Sequence, residues 1–423
     1  MADDHTSLLE QVDFLDPDTI QCPFGFYEAL RTEAPVFELP RSPIPDRRVL
    51  VVSKYRLIKE EVLPRWQIFS NRFGALMGRS SEDPEIQAIL AKGYPGVETM
   101  LTQDPPLQRQ YRTLVSPLFA PRRVAAMEEK IARIANDLID RFETKGEADF
   151  LVEFSTPLPI YVIADALGVP PEDHGRVKTW ANAAIAAISQ MKGREAAIEG
   201  AKASVEMQHY LVDLIEQRRA DPRDDVISAL VGAEFNRERP LTISEMLSML
   251  SQLMVAGHET TTNALGGGLA YILKEQGAAQ RLLADPDLLA NAVEEILRLE
   301  ASTKGMWRIV TEDSEVGGFQ VKAGDILFLS YDAGNRDGDI FPDGERCLFD
   351  RANARDHLSF GGGLHTCVGA QLARRQMHIA FELLLKRLPN LHLTPGKNEF
   401  HYLESLLHRG FTGLQISFDP VPR

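Results

Sequence analysis

The segment HLSFGGGLHTCVGAQLARRQ, from His357 to Gln376, carries the most information about the fold of this 423-residue chain. It places Cys367 among four glycines, and a run of apolar and basic residues typical of a helix follows. Glycine lets a backbone take a positive φ or approach a large flat group, because it has no Cβ. Backbone N–H groups at such a turn can stabilise a thiolate, which is a soft ligand for iron. The alternative is a buried structural cysteine.

The composition indicates a large acidic protein with a substantial core. The formal net charge is −15, with 44% hydrophobic and 25% charged residues. Broad nucleic-acid binding is not expected, since such surfaces are usually basic. Cys22, Cys347 and Cys367 form no C-x-x-C pair, and an odd, sparse count favours a reducing compartment. The acidic N-terminal residues lack an apolar signal core, and no apolar run approaches the roughly 20 residues of a membrane span. We therefore predict a cytoplasmic protein that does not cross a membrane.

The spacing of apolar residues predicts a mainly helical body with a smaller β-rich portion, built from both ends of the chain. The pattern is helical from about residue 121 to 305, whereas RVLVVS and segments after Gly305 have strand patterns. SEVGGFQVKAGDILFLSY predicts two strands with a glycine-rich hairpin. The longest helix is predicted from Thr242 to about Lys274, and Thr242 with Glu245 forms a capping box at its start. Since no repeat or linker interrupts the sequence, we predict a single domain over residues 1–423.

The cysteine turn matches a long and specific pattern. FGGGLHTCVG, Phe360 to Gly369, resembles the cysteine-ligand loop of the cytochrome P450 family, F-G-x-G-x-[HR]-x-C-x-G, with every fixed position filled. The resemblance covers nearly the whole chain and is to the soluble bacterial type. It implies the P450 fold, in which a long central helix crosses over haem b. It makes Cys367 the axial ligand of the haem iron, His365 a propionate partner and Phe360 a ring beside the thiolate. Gly361 lets the loop lie against the porphyrin.

A second segment of the predicted central helix carries candidate catalytic residues. Ala256 to Thr261, AGHETT, resembles the family's [AG]-G-x-[DE]-T-[TS], and Ala256 and Gly257 are assigned to haem binding. Gly257 weakens helical hydrogen bonding, and Thr260 can bond back to the carbonyl four residues earlier and bend the helix. The resemblance makes Glu259 and Thr260 an acid–alcohol pair that delivers protons to the oxygen during catalysis. Taken alone, the pair also fits a solvated carboxylate and a packed threonine.

Two arginines are predicted to bind the haem propionates. Arg308 lies ten residues after Arg298, where the family often places such an arginine. DPPLQRQYR resembles the family's D-P-P-x-H-x-x-x-R and gives Arg112 the same role. Gln108 replaces the usual histidine in this segment, and it can still donate a hydrogen bond although it carries no charge.

The pair Glu295-x-x-Arg298 resembles the family's E-x-x-R motif and is predicted to support the fold. Such a pair is most often an ordinary surface ion pair. The resemblance implies a buried network with a third member, for which Arg351 is the candidate. Ser302 stands where a proline is common in the family.

The substrate pocket is predicted from helical spacing and from the family's layout. Gln252, Val255 and Ala256 share one helical stripe with Glu259 and Thr260. Core packing is the alternative for most pocket candidates, whereas the pocket interpretation implies a hydrophobic small-molecule substrate. The full set is Gln252, Val255, Ala256, Thr303, Lys304, Met306, Leu406 and Leu407, of which Gln252 and Lys304 are the polar exceptions.

The resemblance implies a monooxygenase that inserts one oxygen atom from O2 into a C–H bond of that substrate. No flavin or nicotinamide fingerprint is visible, so electrons are expected from a separate ferredoxin and ferredoxin reductase. Arg109, Arg112, Arg374 and Arg375 are predicted to form a basic patch for an acidic ferredoxin, with propionate binding and solvated helix charges as the alternative. Two other functions stay open. One is a peroxide-driven peroxygenase, a type that usually lacks the acid–alcohol pair, and the other is a non-catalytic haem binder or sensor.

Overall fold

The structure is a computed structural model that describes residues 15–74, 83–188 and 193–422, together with residues 9 and 13. The acidic residues 1–8 lie outside this set. The α-helices are α1 Pro17–Gln21, α2 Phe24–Glu33, α3 Pro84–Leu90, α4 Leu107–Val115, α5 Pro121–Ile139, α6 Pro157–Leu167, α7 His174–Ile188, α8 Gly193–Ala220, α9 Val226–Val231, α10 Ile243–Lys274, α11 Ala278–Ala284, α12 Pro286–Leu299, α13 Tyr331–Gly334 and α14 Ala370–Arg387. Short π-helical and 3₁₀ segments lie between them, including the turn Gly363–His365.

The strands are short and fall into small sheets. They are β1 Val36–Glu38, β2 Val49–Val52, β3 Phe69–Ser70, β4 Glu147–Asp149, β5 Glu234–Phe235, β6 Arg239–Pro240, β7 Gly305–Val310, β8 Ser314–Val316, β9 Phe319–Val321, β10 Ile326–Ser330, β11 His392–Leu393 and β12 Gln415–Ser417. Together with the helices, they confirm the mainly helical class.

The long central helix is confirmed. Helix α10 begins after Thr242, whose hydroxyl accepts from the Glu245 N–H while the Glu245 carboxylate accepts from the Thr242 N–H. It packs against α6, α12 and α14, so it runs through the main apolar cluster. A helix surrounded in this way is stabilised by burial on several faces, which explains why its sequence is apolar over most of its circumference.

The largest sheet combines strands from the first 70 residues with strands from residues 305–330, the two regions in which the sequence predicted strands. Its strand order is β1-β2-β10-β7-β3. Strand β10 lies parallel to β2, with Leu327 opposite Leu50, and antiparallel to β7, with Phe328 opposite Trp307. Arg308 lies on β7 of this sheet, and its charge acts on His365 in the cysteine loop.

The prediction of two strands in SEVGGFQVKAGDILFLSY was wrong, because the segment forms three. Strands β8 and β9 form a separate hairpin around Gly317 and Gly318, which have φ values of 55° and 82°. Strand β10 then leaves the hairpin and joins the five-stranded sheet. Within the described part of the chain, no helix is both long and apolar enough to cross a bilayer.

Candidate active site

The cysteine loop is a tight turn between the 3₁₀ segment and α14. The Cys367 N–H donates to the Phe360 carbonyl at 2.8 Å and closes the loop. Gly361 and Gly363 have φ values of 65° and 63°, a region that side chains with a Cβ rarely adopt. The glycines are therefore required by the loop's own backbone, whatever lies against it.

The surroundings of the Cys367 sulfur act on its pKa in opposite directions. Although the residue as a whole is exposed, the protein around the sulfur raises the thiol pKa through desolvation. The backbone N–H groups of Gly369 and Ala370 and the charges of Arg112 and Arg374 act in the opposite direction and lower the pKa. Since Ala370 begins α14, the sulfur also lies at a helix N-terminus. On balance the pKa of the thiol is raised, so a thiolate here requires a bound cation.

Helix α4 holds the loop from a second side. The Gln108 Nε2 donates to the Leu364 carbonyl at 2.8 Å, and the Arg112 Nη2 donates to the Thr366 carbonyl at 2.6 Å. These two carbonyls flank His365. Gln108 is fully buried and its Oε1 has no partner, so its amide contacts the cysteine loop, and its predicted role in haem binding stays a prediction.

A cluster of donors surrounds His365. Burial, together with the charges of Arg308 and Arg112, lowers the pKa of this imidazole to about 3, so the ring is neutral near pH 7. Its Nε2 is buried and has no partner, while its Nδ1 lies 3.3 Å from the Asn71 Nδ2. The guanidinium groups of Arg308 and Arg112 lie near this unpartnered ring nitrogen, and together these groups are suited to bind a pair of carboxylates.

The residues present fit haem b. The fit rests on the soft thiolate of Cys367, the glycine backbone beside it and the carboxylate-binding donors around His365. Ala256 is also exposed in the middle of the otherwise buried helix α10. These features are those that a haem-thiolate site requires.

The predicted acid–alcohol pair lies near this exposed alanine. The Thr260 hydroxyl donates to the Ala256 carbonyl at 2.8 Å, as predicted from the spacing. Helix α10 continues without interruption through this bond, and the expected bend stays a prediction. A Cβ at Gly257 would lie 3.4 Å from the Ile163 Cγ1, an ordinary contact, so packing there does not demand glycine. Glu259 is buried, and its Oε2 lies 3.3 Å from the His408 Nδ1.

The two polar pocket candidates differ in their surroundings. The Lys304 Nζ donates to the Ser405 carbonyl at 2.6 Å, and burial lowers its pKa to about 8 despite the nearby Asp332. The Gln252 Oε1 is buried and has no partner. Gln252 is therefore the better candidate to meet a polar group of a substrate.

The remaining pocket candidates are mostly in contact with the protein core. Thr303 pairs with His408 in an isolated antiparallel bridge. Met306 packs against the cluster containing Leu329, while Leu406 and Leu407 pack against the sheet cluster that includes Phe328. Val255 is half-buried. A role in substrate contact stays a prediction for each of them.

The fold-supporting network is confirmed. Glu295 and Arg298 have no exposed side-chain surface, and the Arg298 Nε lies 2.8 Å from the Glu295 carboxylate. The Arg351 Nε reaches the same carboxylate at 3.0 Å. The resemblance therefore identified the third member correctly.

The predicted basic patch is partly neutralised. The Arg374 Nε lies 2.7 Å from Glu294, and the Arg375 Nη2 lies 2.6 Å from Glu128. Arg112 is engaged with the cysteine loop, whereas Arg109 is exposed. A docking surface here would rest on fewer free charges than the sequence predicted.

Two sets of contacts were not predicted. His408, which holds Glu259, comes from a distant segment, and only its position after Leu407 could have suggested a place near the pocket. Glu294 was also missed, although it binds both His357 and Arg374, whose guanidinium lies 4.5 Å from the centre of the Phe360 ring. The available signal was the presence of His357 and Arg374 in the segment from His357 to Gln376, since both side chains can pair with an acidic residue.

Comparison with known proteins agrees with this site. The Cytochrome P450 family model matches residues 184–407. Polyketide biosynthesis cytochrome P450 PksS from Bacillus subtilis is 37% identical, covering 75% of this chain and 77% of that protein. Vitamin D(3) 25-hydroxylase from Pseudonocardia autotrophica is 32% identical over 98% of both chains. The crystal structure of CYP109E1 from Bacillus megaterium with testosterone matches with a TM-score of 0.80 and 32% identity, covering 96% of this chain and 100% of that one.

The chain belongs to the cytochrome P450 family. It is a bacterial P450 monooxygenase with haem b as its cofactor, and the expected family, fold class, enzyme class and cofactor are confirmed.

Proposed function

We propose that this monooxygenase hydroxylates a hydrophobic small organic molecule, with electrons from a separate ferredoxin and ferredoxin reductase. The observation that carries the proposal is the Cys367 thiol in its loop of N–H donors, with the Thr260–Glu259 pair on the central helix. Names of relatives that refer to polyketide biosynthesis and vitamin D(3), and a neighbour with bound testosterone, support an apolar substrate. The single domain over residues 1–423 and the cytoplasmic location are part of the same proposal.

In this proposal the cofactor is held by residues from three parts of the fold. Cys367 would bind the iron through its thiolate sulfur, and His365, Arg308 and Arg112 would bind the propionates. Phe360, Gly361, Ala256 and Gly257 would pack along the porphyrin, while Gln108 would keep the loop in place through Leu364. The bound haem supplies the iron at which dioxygen is reduced.

The protein's own contribution to the chemistry is proton delivery. The Thr260 hydroxyl donates to the Ala256 carbonyl, so its oxygen lone pairs are free to accept a hydrogen bond from a water. Glu259, one residue earlier and in contact with His408, would take up a proton from solvent and pass it to that water, which would relay a proton onward. A positioned general acid of this kind typically contributes about 10²–10⁴-fold to a rate.

The test is reconstitution of the purified holoprotein with a ferredoxin, its reductase and NAD(P)H over a library of hydrophobic compounds. We expect substrate-dependent NAD(P)H oxidation and a product that is one oxygen atom heavier. We expect Thr260→Ala to lower product formed per NAD(P)H by roughly 10²-fold, because the proton path is cut. Thr262→Ala is the matched control, since that hydroxyl bonds the Ser155 carbonyl.

Two results would change the proposed function. Turnover with hydrogen peroxide, but not with the ferredoxin system, would make the chain a peroxygenase. A library that never shifts the ferric spin state, with no coupled oxidation, would favour a haem binder or sensor.

Gln252→Leu is expected to weaken binding of a hydroxyl- or amide-bearing substrate by about 2–10-fold, since one hydrogen bond is worth about 0.5–1.5 kcal/mol. The position of oxygen insertion is expected to shift as well. The measurement is a spin-state titration with product analysis, with Gln320→Leu as the surface control. If the combined Gln252→Leu and Lys304→Leu variant binds and hydroxylates as the parent does, neither side chain orients the substrate.

A further inference from the structure

The contact between Glu259 and His408 joins the central helix to the C-terminal tail. The Nδ1–Oε2 distance is 3.3 Å, and the two side chains are only 10% and 20% exposed. Electrostatic attraction between an imidazole and a carboxylate at this distance is stronger where water is largely excluded. This pair therefore restricts where the carboxylate can point.

The backbone of His408 is fixed by three hydrogen-bonded neighbours. Its N–H donates to the Ser405 Oγ at 3.1 Å, and the residue bridges to Thr303. The next N–H, that of Arg409, donates to the Ser302 carbonyl at 3.0 Å. The His408 imidazole therefore projects from a segment whose backbone is held by hydrogen bonds, next to the predicted pocket residue Thr303.

The tail and the helix also approach each other closely one turn further along α10. A Cβ at Gly410 would lie 2.1 Å from the Asn263 Oδ1, so only glycine fits there without movement. Asn263 follows Glu259 by one helical turn, which places both on the side of α10 that meets residues 408–410. Because this side of α10 is closely packed, the C-terminal tail has little room to move His408 away from Glu259.

The neighbouring charged groups do not offer an equivalent donor. His258 is adjacent to Glu259, but burial lowers its pKa to about 4, and its Nδ1 is buried without a partner. Lys178 on α7 acts on His258 through its charge and makes that ring still harder to protonate. His408 is the ion-pair partner of Glu259 in the described part of the chain.

We infer that His408 is a positioning residue for proton delivery: its imidazole, packed against Glu259, fixes the direction in which that carboxyl group points when it passes a proton from solvent toward Thr260. The inference rests on the proposed role of Glu259 and Thr260. Without this contact the carboxyl group is free to adopt other rotamers, and a small misplacement of a catalytic group is costly.

The experiment compares His408→Phe, His408→Asn and Glu259→Gln holoenzymes with the ferredoxin system. His408→Phe is expected to lower product per NAD(P)H about 10-fold, with more hydrogen peroxide and a larger solvent isotope effect. His408→Asn keeps an N–H donor near the Nδ1 position and is expected to restore most of the coupling. His401→Phe is the control, because that tail histidine pairs with Glu399 on the surface.

A second readout does not depend on turnover. In ¹⁵N-histidine-labelled protein in the diamagnetic ferrous carbon-monoxide form, the His408 ring-nitrogen shifts are expected to change in Glu259→Ala, which removes the carboxyl group, and to stay unchanged in Glu399→Ala, which removes the partner of His401. His408 shifts that are the same in Glu259→Ala as in the parent would overturn the inference.

The outcomes separate this inference from the function on which it rests. If Glu259→Gln itself leaves product yield and isotope effect unchanged, the proposed proton path is wrong. If Glu259→Gln is impaired while His408→Phe matches the parent, only the role of His408 is wrong. The double variant is expected to equal Glu259→Gln, since His408 acts through that carboxylate. Additive losses would show that His408 acts independently.

Discussion

Replacing Arg298 with methionine is expected to lower the free energy of unfolding by about 3–5 kcal/mol. The Glu295 carboxylate would stay buried but lose one of its two arginine partners. Arg298 also donates to the carbonyls of Asn335 and Gly344, both at 2.7 Å. These bonds tie α12 to the irregular segment before the cysteine loop. Since a folded protein is typically stable by only about 5–15 kcal/mol, the loss is a large fraction of the total.

The measurement is the denaturant midpoint of the holoprotein, with Lys386→Met as the matched control. Lys386 pairs with Glu382 at 2.6 Å, but both side chains are substantially exposed, at 54% and 38%. Such a surface pair is worth only about 0.3–0.5 kcal/mol. Arg298→Lys is expected to fall between the two, because an ammonium cannot reproduce the planar fork. Equal midpoints for Arg298→Met and Lys386→Met would contradict a fold-supporting role.

Local signals allowed the parts of the fold that bear the site to be predicted. The start of α10 depends on Thr242 and Glu245, three residues apart, and its course depends on apolar spacing alone. The turn at Cys367 depends on glycines within a few residues of it. Because the causes are close together in sequence, these elements could be predicted before any contact was known.

Contacts between distant segments could not be predicted in the same way. The hydrogen bond from Gln108 to Leu364 and the pairing of Glu259 with His408 arise only after the sheet and helices assemble. The partial neutralisation of the basic patch has the same origin, since Glu128 and Arg375 lie on different helices. Sequence spacing holds no information on which charges meet across such distances.

The three-strand outcome in residues 314–330 shows a different limit. The apolar pattern marked the segment as β correctly, but the division into strands depends on where each one finds a partner. Strands β8 and β9 pair with each other, whereas β10 pairs with β2 and β7. Element type was therefore predictable, and the boundaries were set by tertiary pairing.

Replacing Cys367 with alanine is expected to leave the bound haem without a thiolate ligand. The backbone N–H groups of Gly369 and Ala370 at the start of α14 lower the pKa of this thiol, and no side chain in the loop offers an equivalent donor of electron density. Cys347→Ala is the matched control. That cysteine is half-buried, and burial raises its pKa to about 12, so it stays a protonated thiol.

The absorption spectrum of the reduced protein under carbon monoxide tests the central claim most directly. The parent and Cys347→Ala are expected to show the strongly red-shifted Soret band of a thiolate-ligated haem, and Cys367→Ala is expected to lack it. A Cys367→Ala protein that binds haem and keeps the parent spectrum would contradict the claim that this sulfur is the axial ligand.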